Sequence, residues 1–137
     1  MNGAFVDTDV LIRLITGDDP VKQAAAEALF QQVEAGALSL RAPDTVIADA
    51  VFVLTSPRLY ALPRPLIREK LAYLVGLPGL LIHNRRLLLR ALDFFATTIL
   101  DFGDAMIVAT MERRNASTVY SYDHDFDRMP GITRREP

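Results

Sequence analysis

The chain has no cysteine, and only two lysines, Lys22 and Lys70, stand against thirteen arginines. Without cysteine there is neither a disulfide framework nor a thiolate metal site. Long apolar runs are also missing: residues 87–100, the nearest approach, are broken by Arg90 and Asp93, so no membrane-spanning helix is expected. Asp7 and Asp9 interrupt the first apolar stretch, which argues against a signal peptide and makes the cytoplasm the expected location. There is no internal repeat, linker or low-complexity segment. The net charge is only −2, so no global electrostatic pull toward a polyanion is expected.

What is present suits one domain spanning 1–137, long enough to bury a sizeable core. Hydrophobic residues make up 50% and charged residues 23%, as in an ordinary globular protein. The acids are biased: twelve Asp against five Glu. Asp is the poorer helix former and the better ligand for hard cations, while Arg is the better planar partner for phosphate.

Turn residues divide the chain into alternating elements. Residues 4–6 read as a short strand and residues 10–15 as a helix that Gly17 ends, with Thr8 or Asp9 as its cap. Pro20 opens a helix to about Ala35, before Gly36. A strand at 38–41 precedes a helix from Pro43 to Leu54, closed by Ser56-Pro57. Pro63 and Pro65 open a helix ending near Gly76, and a weak strand follows at 80–82. Asn84 can cap a helix over 85–97, and a further helix runs from about Phe102 to Asn115. Residues 118–122 are the clearest strand, and 131–135 offer a last edge strand. Strands separated by helices predict an α/β fold, a three-layer α/β/α sandwich around a central, mostly parallel sheet. Ligands bind such sheets at the carboxyl ends of the strands, where Asp7 and Asp123 fall.

Four acids stand out against apolar surroundings: Asp7, Asp49, Asp104 and Asp123. On helical spacing, Asp49 shares a face with Val46, Ala50 and Val53, and Asp104 with Ile107, Val108 and Met111. Such carboxylates are expensive to bury unless something positive relieves them, and apart from His124 no lysine or histidine accompanies them along the chain. Any one of them read singly is a helix cap or turn former. Read jointly they predict a site. Two carboxylates about 4–5 Å apart repel by roughly 3–4 kcal/mol at an effective dielectric of 20, so a cluster must protonate, open out or bind a cation. Oxygen-only donors suit Mg²⁺ or Mn²⁺ rather than zinc, and metal-assisted phosphoryl transfer is the chemistry such a cluster serves best.

The strings that carry these acids resemble those of PIN-domain ribonucleases. Phe5-Val6-Asp7-Thr8-Asp9-Val10-Leu11 is similar to their opening Asp-Thr-Asn-Val-Leu. Ala48-Asp49-Ala50-Val51-Phe52 resembles their second motif, Asp101-Phe102-Gly103-Asp104-Ala105 their third, and Tyr122-Asp123-His124-Asp125-Phe126 their ending. The motifs stand in family order across nearly the whole chain, and its size most resembles the VapC-like toxins of toxin–antitoxin pairs. The resemblance implies Mg²⁺- or Mn²⁺-dependent endonucleolytic cleavage of RNA. It makes Asp7, Asp49, Asp104 and Asp123 the metal-binding quartet, with Asp7 and Asp104 as direct ligands and Asp125 as a supporting or alternative acid. It also implies a homodimer and a cognate antitoxin, whose helical tail would lie on apolar surface from the helices between Pro20 and Gly76, among Leu29, Phe30, Leu59, Tyr60, Leu66, Ile67 and Leu71; core packing is the competing account of those residues. Asp49 replaces the usual Glu and Asp9 the usual Asn.

Arg85, Arg86 and Arg90, or Arg113 and Arg114, are candidates to hold an RNA backbone, with solvated helix faces as the alternative. His124 is a candidate acid–base group, with a plain surface turn as its alternative. Two rival functions remain. Asp7-Thr8-Asp9 also fits the nucleophile and acid of a haloacid-dehalogenase-like phosphatase, but the lysine and further Asp that such an enzyme needs are missing. A PIN-like module that binds RNA or a partner without catalysis is the other.

Overall fold

The computed structural model describes residues 3–137; Met1 and Asn2 of the expected 1–137 domain lie outside the described residues. The chain is α/β, with a parallel sheet in a three-layer α/β/α arrangement. In order, the elements are β1 (Ala4–Phe5), α1 (Thr8–Thr16), α2 (Pro20–Glu34), β2 (Leu40–Ala42), α3 (Thr45–Thr55), α4 (Arg64–Val75), β3 (Leu80–Ile82), α5 (Arg85–Thr97), α6 (Phe102–Arg114) and β4 (Thr118–Tyr120). A 3-10 helix (His124–Arg128) and β5 (Thr133–Arg135) follow. The punctuation works as its chemistry dictates. Gly17 closes α1 in the left-handed region at φ 67°, and the Asp19 carboxylate accepts from Lys22 N at the start of α2, where Pro20 needs no hydrogen-bond partner.

The sheet is delivered in two parts, one ordered β1-β2-β3 and the other β4-β5, and every pair is parallel. Ala4 stands opposite Leu40, which stands opposite Leu80, while Phe5, Arg41 and Leu81 form the next row. Period-2 alternation then sorts the faces. Val6, Leu40, Ala42 and Leu80 are buried, whereas Phe5, Arg41 and Leu81 point outward and are exposed.

The core lies on the buried side, where α3 is apolar on most of its surface and is wrapped by α1, α4 and α6. Ile47, Ala50, Val51 and Leu54 of α3 join Ile67, Leu71, Leu88, Leu92 and Phe95 in one hydrophobic cluster. Two contacts fix how the helices approach. The Arg64 guanidinium at the start of α4 donates to the carbonyls of Phe95 and Thr98 at 3.1 and 3.2 Å and also reaches Leu100 O. It lies 4.3 Å from the Phe95 ring centroid as well, satisfying the carbonyls that the end of α5 leaves open. Gly79, before β3, sits so close to α2 that a Cβ there would fall 2.9 Å from Val33 Cγ1 and 3.0 Å from its carbonyl.

The structure departs from the sequence-based expectations in several places; the strand read at 38–41 runs Leu40–Ala42, and the edge strand read at 131–135 runs Thr133–Arg135. The expected strand at 118–122 ends at Tyr120, although Ser121 N still donates to Arg135 O at 2.9 Å. Residues 124–128 are a 3-10 helix rather than a plain turn, held by Phe126 and Met129, which are buried three apart. Asn84 is the N-cap residue of α5, at φ 60°, but its side chain makes no capping bond; its amide donates to Asp44 at 3.2 Å instead. Asp7, not Thr8 or Asp9, is the cap of α1. No helix among the described residues is long and apolar enough to cross a membrane.

Candidate active site

Asp7 follows β1 directly and starts α1, its Oδ1 accepting from Thr8 N at 2.7 Å. The Thr8 hydroxyl donates to Val46 O at 3.4 Å, linking this junction to the start of α3. One turn into α3 stands Asp49. Asp7, Asp9 and Asp49 line one open cleft of about 480 Å³, together with Ile12, Val53 and Tyr60. Arg13 also borders this cleft, but it is occupied by Asp18 at 2.9 Å, and Asp18 in turn accepts from Tyr60. That pairing drops the Asp18 carboxyl to about 2, with Tyr60 the larger cause and Arg13 next.

Asp104 belongs to a second group. It lies half-buried in the first turn of α6, a helix capped by Asp101, whose Oδ1 accepts from Asp104 N at 2.8 Å. Asp123 ends the β4 arm and caps the 3-10 helix through Asp125 N at 2.9 Å. Burial pushes the Asp104 carboxyl from 3.8 up to about 6, reinforced by the negative charges of Asp101, Asp123 and Asp125 and by a hydrogen bond shared with Asp123. A carboxyl is driven this way when acids gather and nothing cationic relieves them.

The expectation of buried acids does not hold: Asp7, Asp49 and Asp123 are exposed, and no charged residue is fully buried among the described residues. The α3 stripe of Val46, Ala50 and Val53 leaves Asp49 on its flank. What does hold is the lack of basic partners. Among the described residues no arginine, lysine or histidine forms an ion pair with Asp7, Asp49, Asp104 or Asp123. Nor do any three acids or histidines converge closely enough to hold a metal ion. Asp7 and Asp49 line one cleft, and Asp104 feels the charge of Asp123. The donor set fits Mg²⁺ or Mn²⁺ in kind, being oxygen-only and uncompensated.

The basic candidates separate clearly. Arg90 is engaged by Glu112 at 2.8 and 2.9 Å and lies 4.3 Å from the Phe94 ring centroid, so it is not free for a phosphate. Arg85 donates to Leu80 O, while Arg86, Arg113 and Arg114 are exposed. His124 contacts Asp127 at 3.2 Å and Arg134 at 3.1 Å, which ties it to the β5 side of the turn. Of the apolar residues between Pro20 and Gly76, Phe30, Ile67 and Leu71 serve the core, Leu29, Tyr60 and Leu66 are half-buried, and Leu59 is exposed. Sequence reasoning missed Asp101 as a participant. Its signal was available: an Asp placed three residues before Asp104, at cap spacing.

A search of curated proteins finds no match to this chain. The PIN domain matches residues 4–132, from the first strand to the segment before β5, and so takes in all four acids. The chain belongs to the PIN-domain family.

Proposed function

We propose that this protein is a metal-dependent endoribonuclease, the toxin of a toxin–antitoxin pair acting in the cytoplasm. PIN domains are generally nucleases and typically use divalent metal ions, so hydrolysis of nucleic acid is the class of activity. The observation that carries the finer reading is a set of carboxylates at the β1–α1 junction, on α3, at the start of α6 and after β4, none relieved by a basic side chain. Asp7, Asp49, Asp104 and Asp123 would hold Mg²⁺ or Mn²⁺. When bound, the ion supplies an acidified water and neutralises phosphate charge.

The chain's own part is positioning. The caps at Asp7 and Asp123 fix each carboxylate's backbone, and the Asp101 cap orients the first turn that carries Asp104. Asp49, a methylene shorter than Glu, would act on the ion through a bound water. The toxin assignment is supported by a groove of about 640 Å³ between α1, α2 and α4, lined by Leu14, Phe30 and Leu74 and by three acids, Glu27, Glu34 and Glu69, against one base, Lys70. An amphipathic antitoxin helix with basic flanks suits it. The active form is a homodimer.

Purified protein will cleave single-stranded RNA with Mg²⁺ or Mn²⁺ and stop on adding EDTA. Asp7→Asn and Asp104→Asn will each lower the rate about a hundredfold or more, as loss of a main electrostatic stabiliser does. Full activity in either variant would overturn the site. The second reading, an RNA-binding module without catalysis, is favoured because among the described residues no three acids or histidines lie close enough to hold an ion; RNA binding with no metal-dependent cleavage would establish it.

A further inference from the structure

At the carboxyl ends of β1, β2 and β3 a row of the sheet's outward side chains is exposed. Phe5 is 71% exposed although it sits in a strand, and it stands in register with Arg41, which stands in register with Leu81. These side chains line a shallow depression of about 490 Å³ with Ile82, His83 and Arg85 at the carboxyl ends of the strands. No lining residue is acidic, in a chain whose net charge is −2. The nearest acid in sequence, Asp44, is engaged by Asn84 at 3.2 Å. Among the described residues neither Arg41 nor Arg85 has a carboxylate partner. Arg85 is steadied by Leu80 O, and the Arg41 stem lies against Gly3, where a Cβ would come within 3.4 Å of its Nε.

An exposed aromatic ring on a sheet, flanked by unpaired arginines, matches single-stranded nucleic acid. Bases have faces that stack on the ring, and phosphates pair with guanidinium. A protein partner would have to bring both an apolar patch and carboxylates in register with the two arginines, whereas every nucleotide carries a base face and a phosphate together. The β4-β5 arm repeats the combination, with exposed Tyr120 directly opposite exposed Arg135. We propose that this exposed row is the platform for single-stranded RNA, with Phe5 stacking a base and Arg41 and Arg85 holding the adjoining phosphates. Phe5 lies two residues before Asp7, so a strand seated there leads to the acids; only this last step rests on the nuclease reading.

The test is binding of a fluorescently labelled 12-nucleotide poly-U RNA in EDTA, read by anisotropy across a salt series. Alongside it, hydrolysis of bis-p-nitrophenyl phosphate with Mn²⁺ is measured. Phe5→Ala and Arg41→Gln change exposed side chains, and their folding is checked by circular dichroism. Each is expected to weaken RNA binding about tenfold, and Arg41→Gln also to flatten the salt dependence by about one phosphate contact. Hydrolysis of the small ester should stay at the level of the unmodified protein. Unchanged RNA affinity in both variants overturns the platform while leaving the nuclease reading intact. The platform is overturned equally if Phe5→Ala alters only self-association or capture of a protein partner. No metal-dependent cleavage of RNA by the unmodified protein, with RNA binding still lost in the variants, supports the platform and overturns the nuclease.

Discussion

Asp104→Asn should raise the stability of the metal-free protein, although it lowers the metal-dependent rate about a hundredfold or more. In the folded chain the Asp104 carboxyl is lifted from 3.8 to about 6, first by burial and then by Asp101, Asp123 and Asp125. A raised carboxyl means that the folded state holds its proton more tightly than the unfolded state does. Ionised Asp104 is therefore a penalty, absent below about pH 4, growing as pH rises through about 6, and complete above pH 7. The rise corresponds to roughly 3 kcal/mol if unscreened, and water at a half-buried side chain brings it to about 1–2 kcal/mol. Asparagine keeps the size and can donate to Asp123 without the charge, so the variant recovers that amount. At pH 7.5 in EDTA its melting temperature should exceed that of the unmodified protein by roughly 3–8 °C, and the gap should close by pH 4. Adding Mg²⁺ should reverse the order, because an ion held by the intact acids stabilises only the folded unmodified chain. Differential scanning fluorimetry across pH, with and without the ion, reads all three. A variant no more stable at pH 7.5, or one whose advantage persists at pH 4, refutes the account of crowded carboxylates.

Two further expectations concern the scaffold. Gly79→Ala puts a Cβ 2.9 Å from Val33 Cγ1 and 3.0 Å from Val33 O, one of them backbone that cannot give way, so urea unfolding should show a loss of about 1–3 kcal/mol. Arg64→Ala removes the cation that closes the end of α5 and its stacking on Phe95. It should destabilise the protein by about 1.5–3 kcal/mol, with hydrogen exchange quickening first over residues 94–100; uniform exchange would contradict the capping role.

The helices were legible because glycine and proline punctuate them. Gly17, Pro20, Ser56-Pro57, Pro63, Pro65 and Gly76 all mark boundaries that the structure respects within a residue or two. Strands of two or three residues leave too little alternation to set their limits, so 118–122 was read longer than its ladder. The 3-10 helix was hidden because Asp123-His124-Asp125 has turn composition, while its anchors Phe126 and Met129 lie later. At the site, the residue types were legible and the burial was not. Sequence spacing assigns Asp49 to the apolar stripe, yet one helical step of about 100° is enough to carry a stripe-edge residue into solvent. Asn84 looked like a side-chain cap because its type favours caps; a tertiary partner, Asp44, claimed its side chain.

The hydrogen bonds at Asp7 and Asp123 give these two side chains a second occupation: each already completes the first turn of a helix. Their length and angle are thus fixed by backbone geometry, and swapping either for glutamate would unravel an N-terminus along with whatever else it did. Asp49 carries no such duty, being inside α3 with its side chain open to water. Asp104 is free of capping too, since Asp101 caps α6, but it is half-buried; natural variation in reach should therefore fall most easily on Asp49.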